Sequence, residues 1–426
     1  MFSNAFSFKE KQIISFAPEP LKEFEEHLFY NPKYSTEEKL LKSLVIYGHN
    51  SHGKSNILKA FDFFILFIKS SFTQPKQVIP IEQFALNTSV LNEPSSFEIV
   101  FLIGDTKYRY GFEVTTSMVI SESLYYAPFG KKESYLFSRV GQEFRVNRAW
   151  SKEEDINIEL QSVPFAKKNV LLLSVLSAQD SLRIKEISHL LNSIILIRDL
   201  NNNNNLLTTA TTFFSSPEYS TLIQKFIEGG DLGFSTIYDK IERKISEGSQ
   251  YERGFLHLLY SERIKRFELY TKHDIYDKTL KQVDTIEFEM LKRESDGTIK
   301  FFIVVCFLVF AIKHKCFILI DELDSRFHSD LLNFLISSFH DPIQNNSGSQ
   351  LLFTSHNTIL LDKRLRRDQI LLVEKDEFGE STVVKMHTKE KPIRIDASIE
   401  KDYRKGKLGG VSRKIKTNPG QGMLFD

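Results

Sequence analysis

Twelve residues constrain the fold most: Leu44-Val45-Ile46-Tyr47-Gly48-His49-Asn50-Ser51-His52-Gly53-Lys54-Ser55. Leu44 to Tyr47 read as a buried strand ending at a glycine. Gly48 to Ser55 then satisfy the spacing Gly-x-x-x-x-Gly-Lys-Ser, and Asn56-Ile57-Leu58-Lys59-Ala60-Phe61 opens an amphipathic helix expected to run to about Phe72. Strand, glycine-bounded loop and helix, in that order, are the context a phosphate-binding loop needs. Successive backbone N–H groups wrap the phosphates, and the helix N-terminus adds its positive end. Lys54 can reach the β- and γ-phosphates, and the Ser55 hydroxyl can hold Mg²⁺. Gly48, Asn50, Ser51, Gly53, Lys54, Ser55 and Asn56 are therefore the candidate nucleotide-binding residues. The bland alternative is a glycine-rich surface turn, against which the flanking strand argues.

Such a loop needs a sheet around it. At 426 residues there is room for one large α/β domain carrying an insertion, or for two domains. Hydrophobic content of 41% and charged content of 26% are those of a globular chain. A net charge of +1 provides no global basic field for nucleic acid, so any such contact must be local. Cys306 and Cys316, the only cysteines, lie in apolar text and read as buried thiols of a reducing compartment. Met1 to Phe8 show no basic region followed by an apolar core, and the longest apolar run, Phe301 to Ile312, is short for a bilayer span. The expectation is a cytoplasmic protein without a membrane segment.

In chain order, residues 2–17 suggest one or two short strands, and 96–147 an antiparallel meander with a turn at Gly104-Asp105. From about residue 165 the pattern turns helical, with Ile184, Ile187, Leu190, Leu191 and Ile194 at helix spacing. Asn201 to Asn205 read as a low-complexity loop. Ser216-Pro217-Glu218 reads as a capped helix start, extending through Phe226 and, after a Gly229-Gly230 break, from Ile237 to Ile245. Residues 265–290 return to strand. No sustained heptad pattern appears, which argues against a long coiled-coil arm. The organisation expected is residues 1–180 as the N-terminal part of a head, 181–262 as a mainly helical insertion and 263–426 as the C-terminal part.

Three further stretches carry chemistry. Cys316-Phe317-Ile318-Leu319-Ile320-Asp321-Glu322 is an apolar strand ending in two carboxylates: Asp321 suits Mg²⁺, and Glu322 suits the water that attacks the γ-phosphate. Gln350-Leu351-Leu352-Phe353-Thr354-Ser355-His356-Asn357 is another such strand, with His356 placed to sense the γ-phosphate. Arg293-Glu294-Ser295-Asp296-Gly297-Thr298 opens an apolar helix, and Ser295 and Gly297 at its N-terminus make a second phosphate site. One chain rarely needs two such sites for one nucleotide. The economical explanation is that the second closes over ATP held by another protomer, while a simple capped helix start is the alternative.

These motifs resemble the ABC-type ATPases of the AAA superfamily, and within them the RloA-like and abortive-infection ATPases, relatives of the OLD and SMC heads. Leu41-Lys42-Ser43, Asp321-Glu322-Leu323-Asp324, Arg366-Arg367-Asp368-Gln369-Ile370 and Tyr403 to Gly410 also resemble that family. The resemblance spans nearly the whole chain and is weakest over 195–262. It implies an α/β fold: an ABC-type P-loop NTPase head with an antiparallel β subdomain and a mainly helical insertion. It further implies catalysis by Glu322, Lys54 and His356, Mg²⁺ on Ser55 and Asp321, and a homodimer or higher homo-oligomer around two ATP molecules. Ser295 and Gly297 of one subunit would then face the ATP at Lys54 of the other, with Asp324 at the interface. His52 departs from the small residue usual in such loops and is expected to point to solvent. Gln83 is a candidate for the family's Q-loop glutamine.

No nuclease constellation is visible. The resemblance implies a sensor or scaffold of anti-phage defence that gates a separately encoded effector, a Toprim- or HNH-type nuclease among the options. Rival readings are a DNA-maintenance ATPase of the SMC kind and a non-hydrolysing ATP-switched scaffold. Lys363-Arg364-Leu365-Arg366-Arg367 and the tail Arg404 to Lys416 are candidate DNA contacts. Gln421-Gly422-Met423-Leu424-Phe425 resembles a sliding-clamp docking peptide, with Gln421, Leu424 and Phe425 as its contacts.

Overall fold

The computed structural model describes residues 1–34, 38–75, 77–91, 93–154, 167–177, 181–200, 204–239, 268–325, 328–346, 348–361, 364–394 and 397–408. At its centre is a six-stranded sheet in the order Ile195–Ile197, Phe317–Ile320, Gln350–Thr354, Ser43–Gly48, Ile370–Lys375, Ser381–Lys385. The first five strands run parallel and Ser381–Lys385 is antiparallel at the edge. Parallel strands are covered on both faces, which is why they read as continuous apolar runs. Val45, Tyr47, Ile318, Ile320, Leu351 and Phe353 enter one core, and Leu44, Ile46, Leu319 and Leu352 enter the other.

The helix Asp296–His314 fills the first core, packed by the helices Asn204–Phe214 and Pro217–Gly229. A helix apolar all round must be buried. This one is long and apolar enough to cross a membrane, yet Phe301 through Val309 are all buried inside the fold. In the second core the helix Lys54–Ser70 lies between the central sheet and an antiparallel sheet of six strands. Phe63 meets Phe97 at 5.1 Å and Phe64 stacks on Phe112 at 5.5 Å. The meander expected over 96–147 is present as Ser95–Ile103, Thr106–Val114, Val119–Pro128, Ser134–Val140 and Glu143–Val146, with Gly104 at φ 59° in its first turn. Buried Glu122 fastens this sheet to the chain that follows. Its carboxylate accepts the Leu172 and Leu173 N–H groups at 2.6 and 2.9 Å and so caps the helix Leu172–Leu176, whose own N-cap, Leu171, offers no acceptor.

Two local expectations are corrected. Ile195–Ile197 is a strand parallel to Phe317–Ile320, so the largely helical stretch after residue 181 also supplies an edge of the central sheet. Three residues that pair with a strand over a hundred positions away leave no period to detect. Ile237 lies not on a helix but on the strand Thr236–Asp239, antiparallel to Leu269–Tyr276; residues 240–245 are outside the described residues. Ser216 does precede a helix with Pro217 at its start, although its side chain makes no capping bond.

A polar cluster sits at the end of the loop strand away from Gly48. The rings of His27 and His340 stack at 3.7 Å, and Gln369 bonds both His27 (2.8 Å) and the Ser43 hydroxyl (3.0 Å). The Lys42 amine donates to the His340 carbonyl at 2.7 Å. Burial holds both histidines below the usual imidazole range, His340 further lowered by His27 and Lys42, and holds Lys42 at about 8. The histidines of the unfolded chain therefore take up protons first as pH falls, so their contribution to stability is intact above about pH 6.5 and is lost below it, whereas that of Lys42 is already lost between about pH 10.5 and 8. Denaturant titrations at pH 7, 6 and 5 should show stability falling by up to about 1.4 kcal/mol per pH unit for each histidine. A flat profile contradicts the assignment.

Candidate active site

Gly48 ends its strand against a neighbour: a Cβ there would lie 2.7 Å from the Val373 carbonyl oxygen. Gly53, at φ 112°, caps the helix Lys54–Ser70 in a conformation that favours glycine. Asn50, Ser51, Gly53, Lys54, Ser55 and Asn56 line a concavity of about 520 Å³, together with Glu322 and His356. The Lys54 amine donates to the Gly48 carbonyl at 2.7 Å and the His49 carbonyl at 3.3 Å, folded back along the loop. Burial pulls its pKa down, against the opposing pull of Asp321, Glu322 and Asp324.

The loop is braced from behind. The Ser381 hydroxyl donates to the His52 carbonyl at 2.7 Å, and the Asn56 amide donates to the Ser7 hydroxyl at 2.9 Å. His52 does not point freely to solvent: it is half-buried and its pKa is lowered by that burial. Gln83 is not among the residues around the concavity; its amide bonds the Glu93 carbonyl.

One hydroxyl organises the two carboxylates. Fully buried Thr354 donates to Asp321 Oδ1 at 2.6 Å and accepts the Glu322 N–H at 2.7 Å. Glu322 stands at φ 48°, a left-handed conformation that costs about 1–2 kcal/mol and is held here by its neighbours. The same bend leaves its side chain 54% exposed, with His356 Nε2 4.0 Å from its carboxylate. Asp324, expected at an interface, is half-buried and bonded within its own chain. Its Oδ2 accepts the His356 and Asn357 N–H groups at 3.0 and 2.8 Å and pins the histidine turn. Thr354 was visible only as the polar residue closing an apolar strand; its double bond to the acidic pair depends on the sheet register. Replacing it with Val keeps the shape but strips a bond from each partner. We expect a stability loss of about 1–3 kcal/mol and a turnover loss of about 10–100-fold, read by denaturant titration and phosphate release.

Ser295 and Gly297 are not brought to Lys54. Ser295 caps the helix Asp296–His314, its hydroxyl accepting the Thr298 N–H at 3.1 Å. With Gly297 it lines a second concavity of about 450 Å³ that also includes Gly230, Asp231, His328 and Asp330. Two residues of the first basic segment are paired within the fold, buried Arg366 with Asp368 at 3.0 Å and Arg367 with Glu23 at 3.1 Å, while Arg364 is exposed. In the tail, Arg404 pairs with Glu400 at 2.7 Å and Lys407 with Asp402 at 3.1 Å. Lys363 and residues 409–426, including Gln421, Leu424 and Phe425, lie outside the described residues.

A family profile described as "AAA domain, putative AbiEii toxin, Type IV TA system" matches residues 43–362, from the loop strand past the histidine turn. The chain belongs to this AAA family. Solved structures similar to it include SMC heads. One, an SMC head bound to the C-terminal winged-helix domain of ScpA, is 13% identical with a TM-score of 0.41, covering 91% of this chain and 97% of that one. The SMC head of Thermotoga maritima is 12% identical with a TM-score of 0.37, covering 85% and 98%. A Pyrococcus furiosus head with an extended coiled coil, bound to the C-terminal domain of ScpA, is 15% identical with a TM-score of 0.35, covering 84% and 94%. No curated protein sequence matches.

The donors of this AAA domain suit a magnesium-bound triphosphate. Ser55 and Asp321 offer the hard oxygens that Mg²⁺ takes, and the glycine-bounded loop offers backbone N–H groups and one ammonium. When bound, the ion would neutralise charge on the phosphate oxygens.

Proposed function

We propose that this AAA domain hydrolyses ATP in a site completed by a second copy of the chain, and that the assembled form gates a separately encoded effector of anti-phage defence. The carrying observation is the separation of the two concavities: Lys54, Glu322 and His356 line one, Ser295 and Gly297 the other. On this reading the loop N–H groups and Lys54 bind the phosphates, and Ser55 and Asp321 hold Mg²⁺. Glu322 orients the attacking water, and His356 reports the γ-phosphate to the turn pinned by Asp324. The Ser295 helix N-terminus of the second copy adds its dipole to the same phosphate. The family's description as a putative AbiEii toxin of a type IV TA system supports the defence role, and a nuclease effector follows from the resemblance in the sequence.

The experiment is the mass of the purified chain with and without ATP and Mg²⁺, alongside phosphate release and incubation with DNA and RNA. Slow hydrolysis, ATP-dependent doubling or higher multiples of mass, and intact nucleic acids are expected. Nuclease activity lost in an active-site variant of this chain would place the cutting here and overturn the gating role.

A further inference from the structure

The turn that presents Ser295 is held from one side by a neighbouring strand. Glu294, directly before Ser295, is nearly buried, and its Oε1 accepts two bonds from the strand Leu269–Tyr276: Thr271 Oγ1 at 2.6 Å and His273 Nε2 at 2.8 Å. Thr271 is fully buried, and the His273 ring lies 4.7 Å from that of Phe288 and 5.8 Å from that of Phe234. The Glu294 N–H bonds the Met290 carbonyl, closing the short helix Met290–Arg293 immediately upstream. The backbone entering the N-cap of Asp296–His314 is thus fixed by one carboxylate and two strand side chains. None of these residues lines the Lys54 concavity.

A hydrogen-bonded carboxylate this close to the cap sets where Ser295 and the first N–H groups of its helix point. A displacement of about 1 Å in such a group can cost about 100-fold in rate even though the displaced residue performs no chemistry. We propose that Thr271, His273 and Glu294 are positioning residues: they hold the Ser295–Gly297 turn in the orientation that engages the nucleotide of a second copy, and so couple the three-stranded sheet to assembly. This rests on the two-copy reading above. The sheet enters the coupling through its middle strand, which pairs with Thr236–Asp239 on one side and Gln282–Glu289 on the other. A load on either outer strand would therefore reach Glu294 through the residues that bond it.

The test uses the full chain. His273→Phe keeps the ring packing and removes the donor, Glu294→Ala removes the acceptor, and Glu294→Gln keeps an oxygen for both donors. Assembly is measured by mass with a non-hydrolysable ATP analogue and Mg²⁺, nucleotide affinity with ADP at protein concentrations that keep the chain monomeric, and folding by thermal unfolding. His273→Phe and Glu294→Ala should weaken analogue-driven assembly by about tenfold or more and lower turnover in step, with ADP affinity unchanged. Glu294→Gln should retain most of the assembly. The inference is overturned if His273→Phe and Glu294→Ala assemble like the parent, or if Glu294→Gln fails as badly as Glu294→Ala. Should one variant unfold, the other still decides. Ser295→Arg separates the two levels. If it assembles and turns over normally, the two-copy reading falls; if it alone blocks assembly, only the positioning inference falls.

Discussion

Glu322→Gln should lower ATP turnover by about 10²–10⁴-fold, the range a positioned general base supplies, while ATP-bound assemblies accumulate. The backbone reason for this separation is visible in the site. The Glu322 N–H is bound by Thr354 and its φ is set by the bend after Ile320, so an amide side chain occupies the same exposed position. Gln retains the size and the hydrogen-bonding reach of Glu but cannot take a proton from water. Nucleotide affinity at the Lys54 loop should be preserved, because the loop N–H groups and Lys54 are untouched. Phosphate release and mass in ATP, measured on the same preparation, check both halves. Unchanged turnover would remove Glu322 from the catalytic role, and parental phosphate release at background would point to the non-hydrolysing scaffold.

The second large effect is complementation between two dead variants. Lys54→Ala removes the loop ammonium, and Ser295→Arg blocks the second concavity, so each alone should have almost no turnover. In a two-fold assembly each site takes Lys54 from one copy and Ser295 from the other. A mixed pair therefore contains one doubly damaged site and one intact site. At equal mixing half of the pairs are mixed and each has one good site of two, so about a quarter of parental turnover should return. A site confined to one chain gives no recovery at any ratio. Recovery near a quarter, highest at equal ratio and absent for either variant alone, is the expected curve. Folding of each variant is checked by thermal unfolding, since Lys54 and Ser295 also bond their own loops.

Much of the fold was legible because its signals are local. The loop strand, the acidic strand and the histidine strand each read as an apolar run ending in polar residues, and the structure places them side by side in the central sheet. The meander over 95–146 was legible for the same reason, as alternation broken by turns such as Gly104-Asp105. Ile195–Ile197 was not, because so short a strand exists only through its partner Phe317–Ile320. Arg366 and Arg367 read as a basic surface because charge runs are usually solvated; Asp368 and Glu23 pair with them instead, and Arg366 is fully buried.

By itself the sequence determined that a phosphate-binding loop, two carboxylates and a histidine lie at the ends of buried strands. Spacing and residue type suffice for that, since strand, loop and helix are local events. The tertiary structure alone decided that Thr354 bonds both Asp321 and Glu322, that Asp324 faces its own histidine turn, and that Ser295 opens onto a separate concavity. Each depends on the register of parallel strands or the packing of a helix against them. Such contacts join residues tens to hundreds of positions apart, and no local pattern encodes them.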